Sequence, residues 1–336
     1  MTIWERFRYE TAAQGKITAL DLELTKRCNL SCAHCYKLRG PQMMDGSLFH
    51  RVLDQARELG IFMIGFNGGE PLSHPQFLPF ARRVLEEGIF LTLVTNGTLI
   101  TEQMVHELSA WKGIRFQVSL YGHDPASFSA LTGAPGSLWE KALHSLELIR
   151  GAGFHLEVIL LAVDQEIAHI GGFMASLKNQ GFDTWVNPIL FPREDGDETP
   201  LKFALSNENY LKLSQLEDYN PIPRCEGNCQ ACGAGVSSLS VDVFGNIVPC
   251  LLIRESLGKI PNTSLADALG GETLKNFIKK NSIPPQCVEC DYYPHCVRCP
   301  GASVFTTGLL TGISGETCRM ARLRQIFHSS HHPDHH

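Results

Sequence analysis

The sequence predicts an α/β protein: a partial (β/α)6 barrel followed by a small cysteine-rich domain. Two observations carry that expectation. Between residue 17 and about 190, short apolar runs of strand length alternate with stretches of helical spacing. The twelve cysteines are split between the two ends of the chain, three by residue 35 and nine from 225 on, with none between.

Ile17–Leu24 reads as the first strand, Leu48–Leu59 as a helix, Phe62–Phe66 as the second strand and Pro75–Glu86 as a helix. Phe90–Thr95, Ile114–Leu120, Leu156–Val163 and Trp185–Phe191 supply the next strands. Glu102–Ala110, Leu138–Arg150, Ile167–Lys178 and Asn207–Leu216 supply the helices between and after them. Such alternation predicts parallel strands joined by helical crossovers. Six units are too few to close an eight-stranded barrel, so an open one is expected, with functional residues in the loops after the strands.

The 336 residues are 43% hydrophobic and carry a formal net charge of −6, an ordinary globular composition with room for a full core and a smaller domain. No apolar run reaches membrane-spanning length. The N-terminus, Met1-Thr2-Ile3-Trp4-Glu5-Arg6, lacks the basic-then-apolar order of a secretory signal. The mild negative charge gives no attraction to nucleic acid. A cytoplasmic location is expected, where thiols stay reduced and clustered cysteines bind metals or clusters. The expected divisions are an N-terminal segment over 1–16, the barrel over 17–220, the cysteine-rich domain over 221–325 and a His-rich tail over 326–336. Asn220-Pro221-Ile222-Pro223 marks the main boundary, and the tail reads as a silent extension or a tag remnant.

Directly after the first strand comes Cys28-Asn29-Leu30-Ser31-Cys32-Ala33-His34-Cys35, a C-x3-C-x2-C run. Three thiolates at this spacing can hold three corners of a four-iron cubane, whereas a ferredoxin-type cluster takes four. One iron then stays open for an outside ligand, as an open zinc position does. A zinc site would need a fourth ligand nearby, and His34, between two of the cysteines, is poorly placed to face the same ion. One strand–helix unit later, Asn67-Gly68-Gly69-Glu70-Pro71 follows the second strand.

These motifs resemble the radical S-adenosylmethionine (SAM) enzymes, in which the methionyl part of SAM chelates the fourth iron and a GGEP motif holds its amino group. The resemblance implies a 4Fe-4S cluster on Cys28, Cys32 and Cys35, and a SAM ammonium site at Gly68, Gly69, Glu70 and Pro71. Glycines allow close backbone approach and a carboxylate suits an ammonium. Thr95-Asn96-Gly97-Thr98 and Ser119-Leu120-Tyr121-Gly122 end the third and fourth strands. In the family these places carry polar groups near the SAM ribose and carboxylate, which makes Asn96 and Ser119 candidates, with ordinary turn residues as the alternative. His34 occupies the slot where the family often has an aromatic residue beside adenine. No cation for the SAM carboxylate stands out in the sequence.

The second cysteine field contains Cys225-x3-Cys229-x2-Cys232, a Gly245-x4-Cys250 stretch, Cys287-x2-Cys290-x5-Cys296-x2-Cys299, and Cys318. Between Val236 and Leu252 a hairpin is expected, turning at Phe244-Gly245-Asn246. The field resembles the SPASM extension of radical SAM enzymes, which binds two auxiliary 4Fe-4S clusters, although Cys296 and Cys299 stand two residues apart where the commonest pattern has three. By the family's interleaved ligation, Cys287, Cys290, Cys296 and Cys318 would hold an outer cluster. Cys232, Cys250 and Cys299 would help hold an inner one, completed by Cys225 or Cys229. Nine cysteines against the eight that two cubanes need leave one over. The alternative for the whole field is a zinc ribbon, since C-x2-C pairs also suit zinc.

The implied chemistry begins with reductive cleavage of SAM to a 5′-deoxyadenosyl radical, which removes hydrogen from an unactivated carbon. If an auxiliary cluster accepts the substrate electron, the outcome is oxidative: a cross-link, a thioether, a carbonyl or a decarboxylation. If a protein thiol returns a hydrogen atom, the outcome is epimerisation, and the spare Cys225 or Cys229 is the candidate catalytic thiol, with a structural role as its alternative. Sulfatase-maturing members carry an acidic residue after the cysteine equivalent to Cys250. Leu251 stands there, which disfavours formylglycine formation. The Ser119–Gly122 and Leu131–Ser137 stretches look similar to SPASM enzymes that modify ribosomally made peptides. The expected partners are a peptide or small-molecule substrate, an electron donor such as flavodoxin or ferredoxin, and a separate leader-peptide-binding protein, since only about 16 residues precede the barrel. Sugars or nucleosides are the alternative substrates. A non-catalytic zinc or electron-transfer protein is the alternative of another class.

Overall fold

The computed structural model describes residues 16–216 and 232–331, with side chains to 327. Strands β1 (Ala19–Thr25), β2 (Met63–Gly68), β3 (Phe90–Thr95), β4 (Ile114–Leu120), β5 (His155–Leu161) and β6 (Asp183–Asn187) lie in sequence order, each parallel to the next. Helices α1 (Gly46–Glu58), α2 (Phe77–Glu86), α3 (Glu102–Leu108), α4 (Pro125–Thr132), α5 (Ser137–Gly151) and α6 (Ile167–Asn179) make the crossovers, and α7 (Asn207–Ser214) follows β6. This is the expected open barrel.

Strand periodicity sorts the side chains. Leu20, Leu22 and Leu24 of β1 are buried in one core with Phe49, Val52 and Leu53 of α1. The alternate positions carry polar groups: Asp21 accepts from Asn67 Nδ2 (3.0 Å), and on β4 Arg115 and Gln117 both reach Glu157 of β5 (3.2 and 2.7 Å). The barrel thus has an apolar outer layer and a polar inner one.

Helix starts follow capping chemistry. Asp45 accepts from Ser47 N, and Thr101 from Met104 N. Helix α4, absent from the sequence reading, starts with a capping box on Asp124 and Ser127 and has Pro125 in its first turn. Its end at Gly133, in the left-handed region at φ 66°, was legible too; its short period was not. Strand β6 stops before the expected Phe191, because the Asn187 side chain caps Ile189 N (3.0 Å) and Pro188 supplies no N–H.

The expected hairpin is present as β7 (Ser238–Val241) and β8 (Asn246–Val248), followed by β9 (Gly258–Lys259). Asp242 Oδ1 accepts from Phe244 N and Asn246 N, both at 2.9 Å, and Gly245 turns the chain at φ 84°. Strand β7 pairs parallel with β1, so the hairpin continues the barrel sheet in the order β6-β5-β4-β3-β2-β1-β7-β8-β9. Helices α8 (Leu265–Gly270), α9 (Glu272–Lys280), α10 (Pro285–Val288), α11 (Pro300–Thr307) and α12 (Gly315–His331) complete the described chain. Leu239 and Ile247 of the hairpin, Phe277 of α9 and Met320 of α12 join one core with the barrel. Among the described residues, no helix is long and apolar enough to cross a membrane.

Candidate active site

A cavity of about 210 Å³ opens at the C-terminal ends of β1 to β4. Cys28, Cys32 and Cys35 line it together with His34, Gly68, Gly69, Glu70, Asn96 and Ser119. The cysteine loop is held by backbone. Ser31 N donates to Thr132 O (2.8 Å) and Ala33 N to Leu131 O (3.1 Å), which gives the end of α4 its role. On the other side, Gly69 N donates to Thr25 O (2.7 Å) and Glu70 N to Arg27 O (2.8 Å).

That contact explains both glycines. A Cβ on Gly68 would lie 2.4 Å from Thr25 O, and one on Gly69 would lie 2.2 Å from Arg27 O. The close approach is to the start of the cysteine loop itself, so the two motifs are built as one unit. Because both N–H groups are used this way, what the turn can offer a cationic ligand is carbonyls and the Glu70 carboxylate. Pro71 opens the short helical turn that follows, and Glu70 caps it through Leu72 N (3.2 Å).

Glu70 is fully buried, and burial pushes its carboxyl up to about 7, against hydrogen bonds from Asn96 N (2.8 Å) and Thr95 Oγ1 (2.7 Å). A buried carboxyl held this high favours a cationic partner. Asn96 donates from Nδ2 to Asn29 Oδ1 (3.0 Å) and accepts from Thr98 Oγ1 (2.6 Å), while Asn29 Nδ2 donates to Thr98 Oγ1 (2.7 Å). Asn29, Thr95 and Thr98 were not singled out in the sequence, although Asn29 lies inside the cysteine motif and Thr95 and Thr98 flank Asn96. Ser119 hydrogen-bonds Tyr121, whose ring centroid lies 4.9 Å from that of His34. His34 is buried, which lowers its pKa to about 4, and its Nδ1 has no hydrogen-bond partner among the described residues. The neutral imidazole lines the cavity, with that ring nitrogen buried.

A charged cluster closes one wall. Glu23 of β1 takes both guanidinium nitrogens of Arg254 (3.1 Å each) and Lys37 Nζ (3.0 Å). Burial opposes the Glu23 charge, but Lys37 and Arg254 outweigh it and carry the carboxyl down to about 2. Arg254 also reaches Glu194 (2.6 Å), which in turn accepts from Leu38 N (3.1 Å). The cluster ties β1, the end of the cysteine loop, the segment after β6 and the stretch after Cys250. Its members lie far apart in sequence, and no local pattern announces them.

The thiols of the second field fall into two groups. Cys232, Cys250 and Cys299 form one: burial first, then one another's negative charge, raises Cys232 and Cys250, the latter to about 11. Cys287, Cys290, Cys296 and Cys318 form the other, with Cys296 at about 11 for the same reasons. Cys225 and Cys229 lie outside the described residues. All ten described cysteines are free and half-buried. Among the described residues no three His, Cys, Asp or Glu side chains meet on a single metal ion. The thiolates of a cubane each bind a different iron, so they must share a cavity rather than a point. Cys28, Cys32 and Cys35 do so, and burial raises Cys28 to about 11 and Cys32 higher still, which cluster binding would reverse. With the buried Glu70 carboxyl in the same cavity, the residues fit a cluster and a cationic cofactor.

The model of the radical SAM superfamily matches residues 22–169, and that of the iron-sulfur cluster-binding SPASM domain matches residues 232–291. The PqqA peptide cyclase of Streptomyces rochei is 31% identical over 268 residues, covering 71% of this chain and 70% of that protein. The chain belongs to the radical SAM superfamily. It is a radical SAM enzyme with a SPASM domain, and its cofactors are SAM and 4Fe-4S clusters. The AdoMet-dependent heme synthase of Methanosarcina barkeri is 23% identical over 321 residues, covering 85% of this chain and 92% of that protein. The structure of Streptococcus suis SuiB bound to the precursor peptide SuiA aligns with a TM-score of 0.67 at 16% identity, covering 93% of this chain and 79% of that one. At that identity the likeness is one of fold.

Proposed function

We propose that this enzyme modifies a ribosomally made peptide, starting from hydrogen abstraction at an unactivated carbon. The observation that carries the initiating step is the cavity shared by the three cysteines, Gly68, Gly69, Glu70, Asn96 and Ser119. Bound and reduced, the cluster supplies the electron that cleaves SAM to the 5′-deoxyadenosyl radical. The protein's own residues do the rest. Cys28, Cys32 and Cys35 hold three irons, and Glu70 with the turn carbonyls holds the SAM ammonium. The Asn29–Asn96–Thr98 network keeps the loop and the end of β3 in register, and His34 with Tyr121 forms the wall for the base.

The outer thiols Cys287, Cys290, Cys296 and Cys318 hold one auxiliary cubane. Cys232, Cys250 and Cys299 hold another, completed by Cys225 or Cys229, and these clusters suit an oxidative outcome. The likeness to PqqA peptide cyclase favours a peptide substrate. The likeness to a heme synthase favours the second reading, a small-molecule substrate. Flavodoxin or ferredoxin would deliver the electron in the cytoplasm, and a separate leader-binding protein would present the peptide.

Anaerobically reconstituted protein should form 5′-deoxyadenosine from SAM and dithionite; none after full reconstitution ends the enzyme reading. A mass change in a short peptide encoded beside the gene supports the peptide substrate, and an unchanged peptide during active SAM cleavage points to a small molecule.

A further inference from the structure

Three cationic side chains line the cavity: Lys26, Lys37 and Arg39. The charge of Lys37 is committed to Glu23 at 3.0 Å. Lys26 Nζ sits over the ring of Phe244, 5.7 Å from its centroid, toward the β7–β8 turn. Arg39 differs from both in being held by the cysteine loop. It makes no ion pair with a carboxylate among the described residues, and its Nη1 donates to Leu30 O (3.0 Å) and Ser31 Oγ (2.5 Å). Leu30 and Ser31 are two of the three residues between Cys28 and Cys32. The guanidinium is therefore braced on the cysteine loop itself.

We propose that Arg39 is a positioning residue that sets the reduction potential of the cluster on Cys28, Cys32 and Cys35. A thiolate-ligated cubane is anionic and gains charge with each electron, so a fixed cation beside it stabilises the reduced form more than the oxidised one. Net charge and hydrogen bonding near the sulfurs are the levers that set such potentials. Arginine suits the task, because it keeps its proton at any working pH and its planar fork can be held by two acceptors at once. Because Arg39 is exposed on its outer side, salt screens part of the effect. The inference rests on the radical SAM reading.

The test is an equilibrium redox titration of the reconstituted full-length protein, followed by electron paramagnetic resonance. The SAM-binding cluster is distinguished from the auxiliary ones by the change in its signal when SAM is added. At the poise that half-reduces this cluster in the parent, R39Q should lower its reduced-to-oxidised ratio about tenfold, about 59 mV for one electron. R39K should stay near the parent, and the auxiliary signals should not move. Equal shifts in R39Q and R39K, or no shift in either, overturn the proposal, since the charge then has no part in the potential. Should R39Q fail to take up iron, R39M is also neutral and of similar length, and it decides by the same two outcomes. If no cluster signal responds to SAM in the parent, the radical SAM reading itself fails.

Discussion

The two cysteine regions are built in opposite ways. The first places three thiols within eight residues at the end of β1, and the barrel holds that loop from both sides: Thr132 and Leu131 at the end of α4 through backbone on one, Gly69 and Glu70 after β2 on the other. The second spreads its thiols over turns, short helices and the start of α12, from Cys232 to Cys318. There the backbone bonds at the outer thiols are local, Cys290 N to Cys287 O, Cys296 N to Tyr293 O and Cys318 N to Ser314 O. Longer ties among the described residues are few, such as Arg324 Nη1 to His295 O (3.2 Å). A site held on both sides by elements of the barrel is formed before its cluster arrives. A site held by local turns depends on the cluster to close it, because metal binding there is part of folding.

The sharpest way to break this contrast is to remove the first site. Changing Cys28, Cys32 and Cys35 together to Ala should abolish 5′-deoxyadenosine formation and still leave about eight irons per chain, two auxiliary cubanes at about four each. About four irons would mean that the second region holds a single cluster and keeps several free thiols.

Stripping the clusters with a chelator should come next in size. Hydrogen exchange should show residues 285–318 losing protection while β1 to β5 keep theirs; equal loss in both regions would end the contrast. The charged cluster is where the regions meet, and Arg254→Met should cost about 3 kcal/mol in urea unfolding, since it leaves the buried Glu23 short of a partner. Because Glu23 is held near 2, its contribution is complete above its ordinary value of 4.5 and fades as pH falls through about 2. A parent and variant that separate equally at pH 2 and pH 7 would contradict that assignment.

The smallest effect concerns Glu70. Its carboxyl is raised from 4.5 to about 7, so between those values the folded protein holds a proton that the unfolded chain has released. Stability without SAM should therefore fall as pH rises through that window. SAM affinity should move the other way, strengthening as the carboxyl ionises near pH 7. In Glu70→Gln both trends should vanish, and calorimetric titration across pH 6 to 8 checks the second.

Much of this molecule was legible in one dimension. The ends of β3 and β4 were read to the residue, because period and flanking turns are local signals. The positions of the cysteine loop and the Gly68–Pro71 turn after their strands were readable because each is a contiguous run. Helix α4 was missed despite its Asp124–Pro125–Ser127 start, since one buried face of Phe128 and Leu131 is too short to show a period.

What the sequence determined by itself is the chemistry: thiol spacing, strand order and the carboxylate at the end of β2 follow from residues close together in the chain. The tertiary structure decided the rest. It put β7 beside β1 so that the cysteine-rich part extends the barrel sheet, and it spent the glycines on the cysteine loop's own backbone. It brought Arg254 across 231 positions to Glu23, and it braced the cavity cation Arg39 on Leu30 and Ser31 of the cysteine loop. These are partnerships between distant residues, set by which faces pack together, and local pattern carries no record of them.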